Sequence, residues 1–369
     1  MGTIRPFRDE DAESVAALFQ RIFRRGGASD CGALADYLLE LYKNGPTSSA
    51  EIPSLVHISD RGILSGFIGL NTLSMRWHDR PLKVALCSTV MVDPTEKDAL
   101  AAAKLMKAAR TGSQDFSFSE TASDVSLRML RTVGGKSLPQ HSFDWVRFVS
   151  PATAAVEMAR RRLPMLTATL PIAKLIDRRL RARRQRMPRW LAMPNPVRPP
   201  AGFETRAIDP AEFAGIFLAL TARFAVRPDW SAEEIARLVR EAMAKPAFGT
   251  PVLAAVYDRN QRPAGAFLYH VRENGTARVI QMVASEHQTG AVLDALIADA
   301  AGRGASVVRG RTQPFMMNAI LTRRIPLFNV ASSAYHCREP ELAAVLANGD
   351  CFLNGLVGEQ WSRLIGDFR

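Results

Sequence analysis

Two side chains in the sequence could act as general bases. Glu120 ends the strand-like run FSFSE, and His78 stands between Trp77 and Asp79 in a predicted hairpin turn. A carboxylate or an imidazole accepts a proton from a reacting group when it lies within hydrogen-bond distance of that group. Each also has a structural explanation, because a carboxylate at a strand end often caps the next helix and a histidine in a turn is often simply exposed. We take Glu120 and His78 as candidate catalytic residues, with these alternatives open.

Two arginines late in the chain could bind an anion. Arg309 and Arg311 alternate along one predicted strand, so they share a face, and Gln313 follows them. A guanidinium presents a bidentate fork that fits a carboxylate or a phosphate, whereas surface salt bridges are the structural alternative. Tyr335 and His336 point to opposite faces of the last predicted strand, so one of them is expected to face a cleft. We take Arg309, Arg311 and Tyr335 as candidate substrate-binding residues.

Several chemistries have no support in the sequence. The chain has no H-E-x-x-H motif, no G-x-S-x-G motif and no glycine loop ending in G-K-[ST], which argues against zinc proteases, serine hydrolases and P-loop enzymes. Cys31, Cys87, Cys337 and Cys351 form no C-x-x-C pair, so we expect no metal site, no disulfide framework and a reducing, cytoplasmic location. No run approaches ~20 apolar residues, and the acidic N-terminus is unlike a secretory signal.

The composition is that of a folded protein with two domains. The chain has 369 residues, of which 47% are hydrophobic and 23% are charged. Its net charge of +12 is concentrated between Glu157 and Pro200, where twelve arginines and lysines stand against two acidic residues. Prolines cluster in the same segment and interrupt both helices and strands. We predict an N-terminal domain over residues 1–150, a basic, proline-rich connector over 151–200 and a C-terminal domain over 201–369.

The connector contains a predicted amphipathic helix between Pro171 and Pro188. One face of this helix carries four aliphatic residues, Ile172, Leu175, Ile176 and Leu180. The helix could pack across the seam between the domains, or it could bind anionic lipid through the cations from Arg178 to Arg189. An acidic protein partner is a third interpretation. Nucleic acid is disfavoured because few aromatic residues are interleaved with the cations to stack on bases.

The two halves of the chain repeat the same order of elements. Five pairs of segments match in the same order: 3–7 with 204–208, 65–70 with 264–269, 88–92 with 279–283, 116–120 with 307–311, and 142–148 with 332–338. The offset drifts only from 201 to 190 residues. This collinear order is typical of a duplicated domain with small loop deletions.

Each half is predicted as a strand, one or two helices, a meander of strands, a central strand, a helix, a strand, a helix and a last strand. This order resembles the GNAT acetyltransferase superfamily in both halves. The resemblance implies an α/β fold class with two GNAT-like domains in tandem, each a mixed central sheet flanked by helices. It also implies that the fourth strand parts from the fifth, so that free main-chain amides bind the pantetheine of acyl-CoA and the next helix start binds its pyrophosphate.

The family's motif at this place is V-x-V-x-P, followed by Gln or Arg and two spaced small residues. The first half reads Val90-Met91-Val92-Asp93-Pro94, with Lys97 at the Gln or Arg position and with Leu100 and Ala102 at the small positions. The second half has Met282-Val283 without the proline, then Gln288, Thr289 and Gly290. The resemblance thus implies five residues that bind the co-substrate: Val90, Val92, Lys97, Gln288 and Gly290.

The acid that this family often uses is a tyrosine four residues before a glycine. Leu130 precedes Gly134 at that spacing, and Leu321 holds the matching place in the second half. The function implied is an N- or O-acyltransferase that uses acetyl-CoA, another acyl-CoA or an acyl carrier, acts on a small molecule or a cell-envelope sugar, and needs no metal. The alternative is a non-catalytic scaffold or ligand sensor with the same fold.

The basic connector extends this prediction to partners and location. An acidic carrier protein or an anionic membrane surface could dock on Arg178 to Arg189, because opposite charge raises the rate of encounter. We therefore expect a cytoplasmic protein, or one that is peripheral at the inner membrane, and no nucleic-acid partner.

Overall fold

A computed structural model describes residues 2–24, 31–95, 98, 100–160, 163–182 and 199–365. Up to residue 137 the described chain forms ten elements: β1 (Thr3–Pro6), α1 (Ala12–Phe23), α2 (Cys31–Leu39), β2 (Leu55–Ile58), β3 (Leu64–Trp77), β4 (Arg80–Val92), α3 (Ala101–Arg110), β5 (Phe116–Ala122), α4 (Asp124–Thr132) and β6 (Lys136–Ser137).

The remaining elements begin just before the connector and continue into the second half. They are β7 (Phe143–Phe148), α5 (Pro151–Ala159), α6 (Leu170–Ala182), β8 (Phe203–Ala207), α7 (Pro210–Thr221), β9 (Val226–Pro228), α8 (Ala232–Met243), β10 (Thr250–Asp258), β11 (Pro263–Val271), β12 (Thr276–Ala284), α9 (Thr289–Gly302), β13 (Val307–Arg311), α10 (Met317–Thr322), β14 (Leu327–Asn329), β15 (Ser332–Cys337) and α11 (Pro340–Asn348). A segment of turns, residues 352–365, follows α11 and is called the C-terminal segment below.

The strands form two mixed sheets. The first sheet has the order β1-β2-β3-β4-β5-β15-β6, with β9 paired to β3, and the second has the order β14-β7-β13-β12-β11-β10-β8. Among the paired strands of the described residues, β4 and β5 run parallel in the first sheet, β12 and β13 run parallel in the second, and the other pairs are antiparallel. These are the matching strands of the two halves, so the predicted fold class, two mixed sheets flanked by helices in tandem, is confirmed.

The two halves exchange their last strands. β7 lies before the connector in sequence, yet it pairs with β13 and β14 of the second sheet. β15 lies near the end of the chain and pairs with β5 and β6 of the first sheet. The sheets therefore do not follow the division of the sequence at residues 150 and 200, since the first contains β9 and β15 from the second half and the second contains β7 from the first half.

A shared hydrophobic core also joins the halves. Phe67 of β3 and Phe19 of α1 belong to the same buried cluster as Phe217 of α7, Val239 of α8 and Phe352 of the C-terminal segment. A separate buried cluster is formed by residues of the second sheet and of α9, and it includes the fully buried Trp145 of β7. Removing either exchanged strand would therefore expose the apolar core of the opposite sheet.

Candidate functional site

The fourth and fifth strands of the first sheet part from each other. β4 and β5 are paired at three positions only, and their ladder ends at Leu86 and Phe118. Both strands continue, β4 to Val92 and β5 to Ala122, without further pairing between them. A cavity of about 520 Å³ opens in the gap. Main-chain groups of two parted strands that lack a ladder partner are available to a ligand.

A bulge in β4 shapes the edge of this gap. The pairing with β3 slips between Met91 and Ser88, and Thr89 takes a positive φ of 51°, which a β-branched residue adopts only under constraint. The hydroxyl of Tyr42 holds the bulge, because it hydrogen-bonds to Ser88 Oγ at 2.9 Å and to Thr89 Oγ1 at 2.6 Å. Gly69 makes room for this ring, since a Cβ there would lie 2.4 Å from ring carbons of Tyr42.

The cavity is lined from both faces of the first sheet. Adjacent residues of β4 point to opposite faces: Ala85 belongs to the core beneath α3, and Leu86 belongs to the core that contains Phe19 of α1. The lining includes Phe19 from one face and, from the other, Ala109 of α3 and Ser126 of α4. Two ligands could therefore approach the gap from opposite sides of the sheet.

Much of the cavity wall comes from the second half of the chain. His336 of β15 lines it, and His336 lies opposite Ser117 of β5 in the antiparallel register. Arg278 of β12 and Trp361 of the C-terminal segment line it as well. Burial, helped by the nearby Arg110 and Arg338, lowers the pKa of His336, so its imidazole is neutral at neutral pH. The strand exchange thus supplies a titratable group to the site.

Glu359 lies in the gap between the parted strands. Its carboxylate accepts hydrogen bonds from Glu120 N at 3.2 Å, from Ser119 Oγ at 3.3 Å and from Thr121 Oγ1 at 2.9 Å. Burial raises the pKa of Glu359, and these donors oppose the rise. Glu359 lines the cavity. It is thus a carboxylate from the C-terminal segment that covers the free edge of β5.

Glu120 is fully buried and does not line the cavity. Its carboxylate accepts the main-chain N–H of Gly355 at 3.2 Å and that of Glu359 at 2.7 Å, so it holds the C-terminal segment in place. Burial raises the pKa of Glu120 to about 7, although the charge of Arg311 opposes the rise. A Cβ at Gly358 would lie 2.1 Å from Glu120 Oε2, so only glycine fits there.

The other predicted catalytic residue, His78, lies at the far end of β4. It is exposed in the hairpin between β3 and β4, with a φ of 51°, and its N–H donates to Ala225 O at 2.9 Å. Eight to ten residues of strand separate this turn from the bulge at Thr89, which is roughly 30 Å at ~3.3 Å per residue. The structure therefore does not bring His78 to the cavity.

The predicted co-substrate residues of the first half fall near the gap. Val90 lines the cavity, and Val92 ends β4 beside it, paired with Gly66. Lys97 lies outside the described residues. Leu130, at the position of the family's tyrosine, also lines the cavity, whereas its counterpart Leu321 is exposed.

The start of α3 carries a carboxylate where the resemblance implies a phosphate. Asp98 accepts the N–H of Leu100 at 3.0 Å and the ammonium of Lys104 at 2.6 Å. The hydrogen bond from Lys104 keeps the pKa of Asp98 below its usual range, so the group is an anion at neutral pH. A ligand phosphate at this helix start would have to displace it.

The equivalent gap of the second sheet is filled. The ladder of β12 and β13 ends at Arg278 and Arg309, yet Gln281 Oε1 accepts the N–H of Leu356 at 2.9 Å, and Asn354 donates to Thr312 O at 3.0 Å. The C-terminal segment thus occupies the space, and a void of only about 10 Å³ is left.

The two predicted residues after β12 have local partners. Gln288 accepts from Ser285 Oγ at 2.8 Å just before α9. A Cβ at Gly290 would lie 2.5 Å from the guanidinium of Arg323, which is itself paired with Asp294 at 2.7 Å. The start of α9 is therefore covered by an ion pair.

None of the three predicted substrate-binding residues lines the cavity, and the two arginines join the two halves instead. Arg309 forms a salt bridge with Asp144 of β7. Arg311 donates to the carbonyls of Glu120 and Ala331 and to Ser333 Oγ, at 2.6 to 3.0 Å. Tyr335 is buried, and its hydroxyl donates to Ala343 O at 3.2 Å. Of the neighbours Tyr335 and His336, it is His336 that faces the cavity.

Two functional groups of the site could be placed beside β5 only with the topology known. His336 and Glu359 are more than 200 residues from β5 in sequence, and no local pattern connects them to it.

Within the described ranges there is no group of three His, Cys, Asp or Glu side chains that could hold a metal ion. Among the same residues, no helix has the length and apolar character needed to cross a bilayer.

Comparison with known proteins was made at the level of sequence and of structure. No protein-family model matches the sequence. A search of characterised proteins by sequence also finds no significant match. Solved structures do match, at low identity and over most of the chain.

A GCN5-related N-acetyltransferase from Kribbella flavida is 15% identical, with a TM-score of 0.54, over 91% of this chain and 71% of that one. A conserved protein of unknown function from Enterococcus faecalis, named a probable N-acyltransferase, is 10% identical, with a TM-score of 0.57, over 91% and 73%. A GCN5-related N-acetyltransferase from Anabaena variabilis is 9% identical, with a TM-score of 0.55, over 92% and 74%. The chain therefore has the fold of the GCN5-related N-acetyltransferases, with two such mixed sheets in tandem.

Proposed function

We propose that the first-sheet cavity binds an acyl thioester and that the protein transfers the acyl group to an amine or a hydroxyl. The observation that carries this proposal is the parting of β4 and β5 beyond Leu86 and Phe118, which leaves strand edges without a ladder partner along a cavity of about 520 Å³, with Glu359 bound at the β5 edge. An extended pantetheine arm can hydrogen-bond to such an edge as an added strand would. The filled gap of the second sheet supports one thioester site per chain, not two.

The chemistry needs a group that moves one proton. The acceptor nitrogen or oxygen attacks the thioester carbon, the C–S bond breaks, and the proton lost by the acceptor has to reach the departing thiolate. His336 suits this task, because its lowered pKa leaves a neutral imidazole that accepts the proton and then returns it to sulfur. Glu359, a carboxylate that lines the same cavity, is the second candidate for the base.

Acyl-CoA, including acetyl-CoA, is the proposed donor, with an acyl carrier protein as the variant. The carboxylate of Asp98 at the start of α3 favours a donor whose binding relies on the pantetheine more than on the pyrophosphate. The proposed acceptor is a small molecule or a cell-envelope sugar that approaches from the α1 side of the sheet. That side of the cavity is lined by Phe19, Phe23 and Trp361.

A second candidate function is a sensor that binds an acyl thioester without transferring it. Leu130 favours this function, because an apolar side chain lines the cavity where the family often has its acid. The two functions predict the same binding and differ in turnover.

Isothermal titration calorimetry with acetyl-CoA and longer acyl-CoAs tests the binding. We expect heat of binding with the wild type and none with Ser126→Trp, because the indole would extend from α4 into the cavity. The control is Asn318→Trp, an exposed position on α10 of the second half, which should bind as the wild type does. No heat with any acyl-CoA would remove the proposal. Binding without thiol release in the presence of amines and amino sugars would favour the sensor.

A further inference from the structure

The apolar face of the connector helix is turned toward solvent. Among the side chains of α6 whose burial the structure describes, Ala173 and Asp177 are buried, whereas Ile172 is 61% exposed, Leu175 48% and Ile176 44%. Asp177 anchors the buried side, because its carboxylate accepts the N–H groups of residues 152 and 153 at the start of α5, both at 2.9 Å. The aliphatic stripe is therefore held outward by the fold.

Cations lie on and beside this stripe. At 100° per residue, Arg179 projects between Leu175 and Ile176, and Arg178 lies on the flank next to Leu175. Both arginines are exposed, and no ion pair joins either to another residue of the described ranges. We call these five exposed residues, Ile172, Leu175, Ile176, Arg178 and Arg179, the connector face.

The charge of the segment that carries the helix is one-sided, and the exposed Glu273 of a neighbouring loop pairs with Lys174, which is not part of the connector face. Between residues 163 and 182 the sequence has a single acidic residue, Asp177, and it is buried. Two such faces would repel each other, which argues against a second copy of the chain as the occupant. The face has no aromatic side chain to stack on bases, which argues against nucleic acid.

We infer that the connector face docks on an anionic membrane surface. Aliphatic residues flanked by arginines on one exposed side of a helix are the combination that lies in a lipid interface, where apolar burial and attraction to headgroups act together. Met158, Leu163 and Met165, all largely exposed, precede the helix and add to the apolar surface. The cations from Arg183 to Arg189 lie outside the described residues.

Vesicle sedimentation tests the inference on the full-length protein. We expect binding to phosphatidylcholine vesicles that contain phosphatidylglycerol, little binding to phosphatidylcholine alone, and weakening with salt. Arg178→Gln with Arg179→Gln should weaken binding about 25-fold, at roughly fivefold per cation. The matched control, Arg237→Gln with Arg240→Gln on α8, removes the same charge elsewhere and should change it little.

A second variant tests the apolar contribution. Ile172→Gln, Leu175→Gln and Ile176→Gln replace exposed side chains in a helix that keeps its buried anchor, and we expect them to abolish sedimentation at physiological salt. No binding of the wild type to either vesicle would overturn the inference. So would a loss in the arginine variant that the aliphatic variant does not share, because binding would then be electrostatic alone and the aliphatic stripe would not enter the lipid interface. A concentration-dependent dimer that the aliphatic variant abolishes would overturn it as well. Acyl-CoA calorimetry on these variants should match the wild type, so the result is independent of the proposed acyl transfer.

Discussion

The strand exchange predicts that the two sheets unfold together. Trp145 belongs to β7 of the first half, yet it is fully buried in the core of the second sheet, where its indole packs against Gly310 so closely that a Cβ there would lie 2.9 Å away. Trp145→Ala should lower the free energy of unfolding by about 3 to 5 kcal/mol, the usual range for a buried tryptophan. Because β7 and β15 tie the sheets to each other, the loss should appear in both.

Hydrogen exchange in urea, followed by mass spectrometry, measures each sheet separately. We expect peptides from β5 and from β12 to lose protection at the same, lower urea concentration in Trp145→Ala. The control is Phe148→Ala on the same strand, where the ring is 38% exposed, and it should cost roughly 1 kcal/mol. A shift confined to β12, with β5 unchanged, would refute the coupling of the sheets through the exchanged strands.

Three further predictions concern the site. Because the pKa of the buried Glu120 is raised to about 7 from 4.5, the stability that this group contributes is present below pH 4.5 and is lost as the pH rises through about 7. In urea titrations, the free energy of unfolding of the wild type relative to Glu120→Gln should therefore fall by about 3 kcal/mol over that range. A difference that stays constant with pH would contradict this. Gly69→Ala places a Cβ 2.4 Å from the Tyr42 ring, so it should displace the ring, weaken acyl-CoA binding in calorimetry and lower the free energy of unfolding by about 1 to 3 kcal/mol. Wild-type affinity and stability in this variant would show that the ring does not hold the bulge. His336→Gln should slow thiol release about a hundredfold or more and leave the affinity for acyl-CoA unchanged. The wild-type rate should persist below pH 6.5, because the pKa of His336 is lowered. A variant that releases thiol at the wild-type rate would exclude the proposed proton transfer.

The order of elements could be predicted from the sequence because it depends on local patterns. Apolar periodicity and turn residues mark each strand and helix, and the collinear repeat at an offset near 200 residues predicts the duplicated fold. Residues 142–148 and 332–338 were matched as equivalent strands, and they are β7 and β15. The sheet to which each belongs could not be predicted, since strand pairing across more than 150 residues leaves no local signal.

The site was predicted in outline but not in its side chains. The predicted gap beside Val90 is present, whereas the position of Glu120 at the end of a strand does not bring its carboxylate to the cavity. Ser117, Ser119 and Thr121 line the cavity from one face of β5, whereas the carboxylate of Glu120, on the other face, is taken up by the main-chain N–H groups of Gly355 and Glu359. Arg309 and Arg311 share a face as predicted, but strand exchange places Asp144 against that face.

Hydrogen exchange with and without saturating acyl-CoA tests the central claim most directly. The account predicts that the ligand protects the amides of residues 87–92 and 119–122, the parted edges of β4 and β5, and leaves residues 279–284 of β12 unchanged. Protection of β12 alone, or no change in either sheet with acyl-CoA bound, would contradict the assignment of the thioester site to the first sheet.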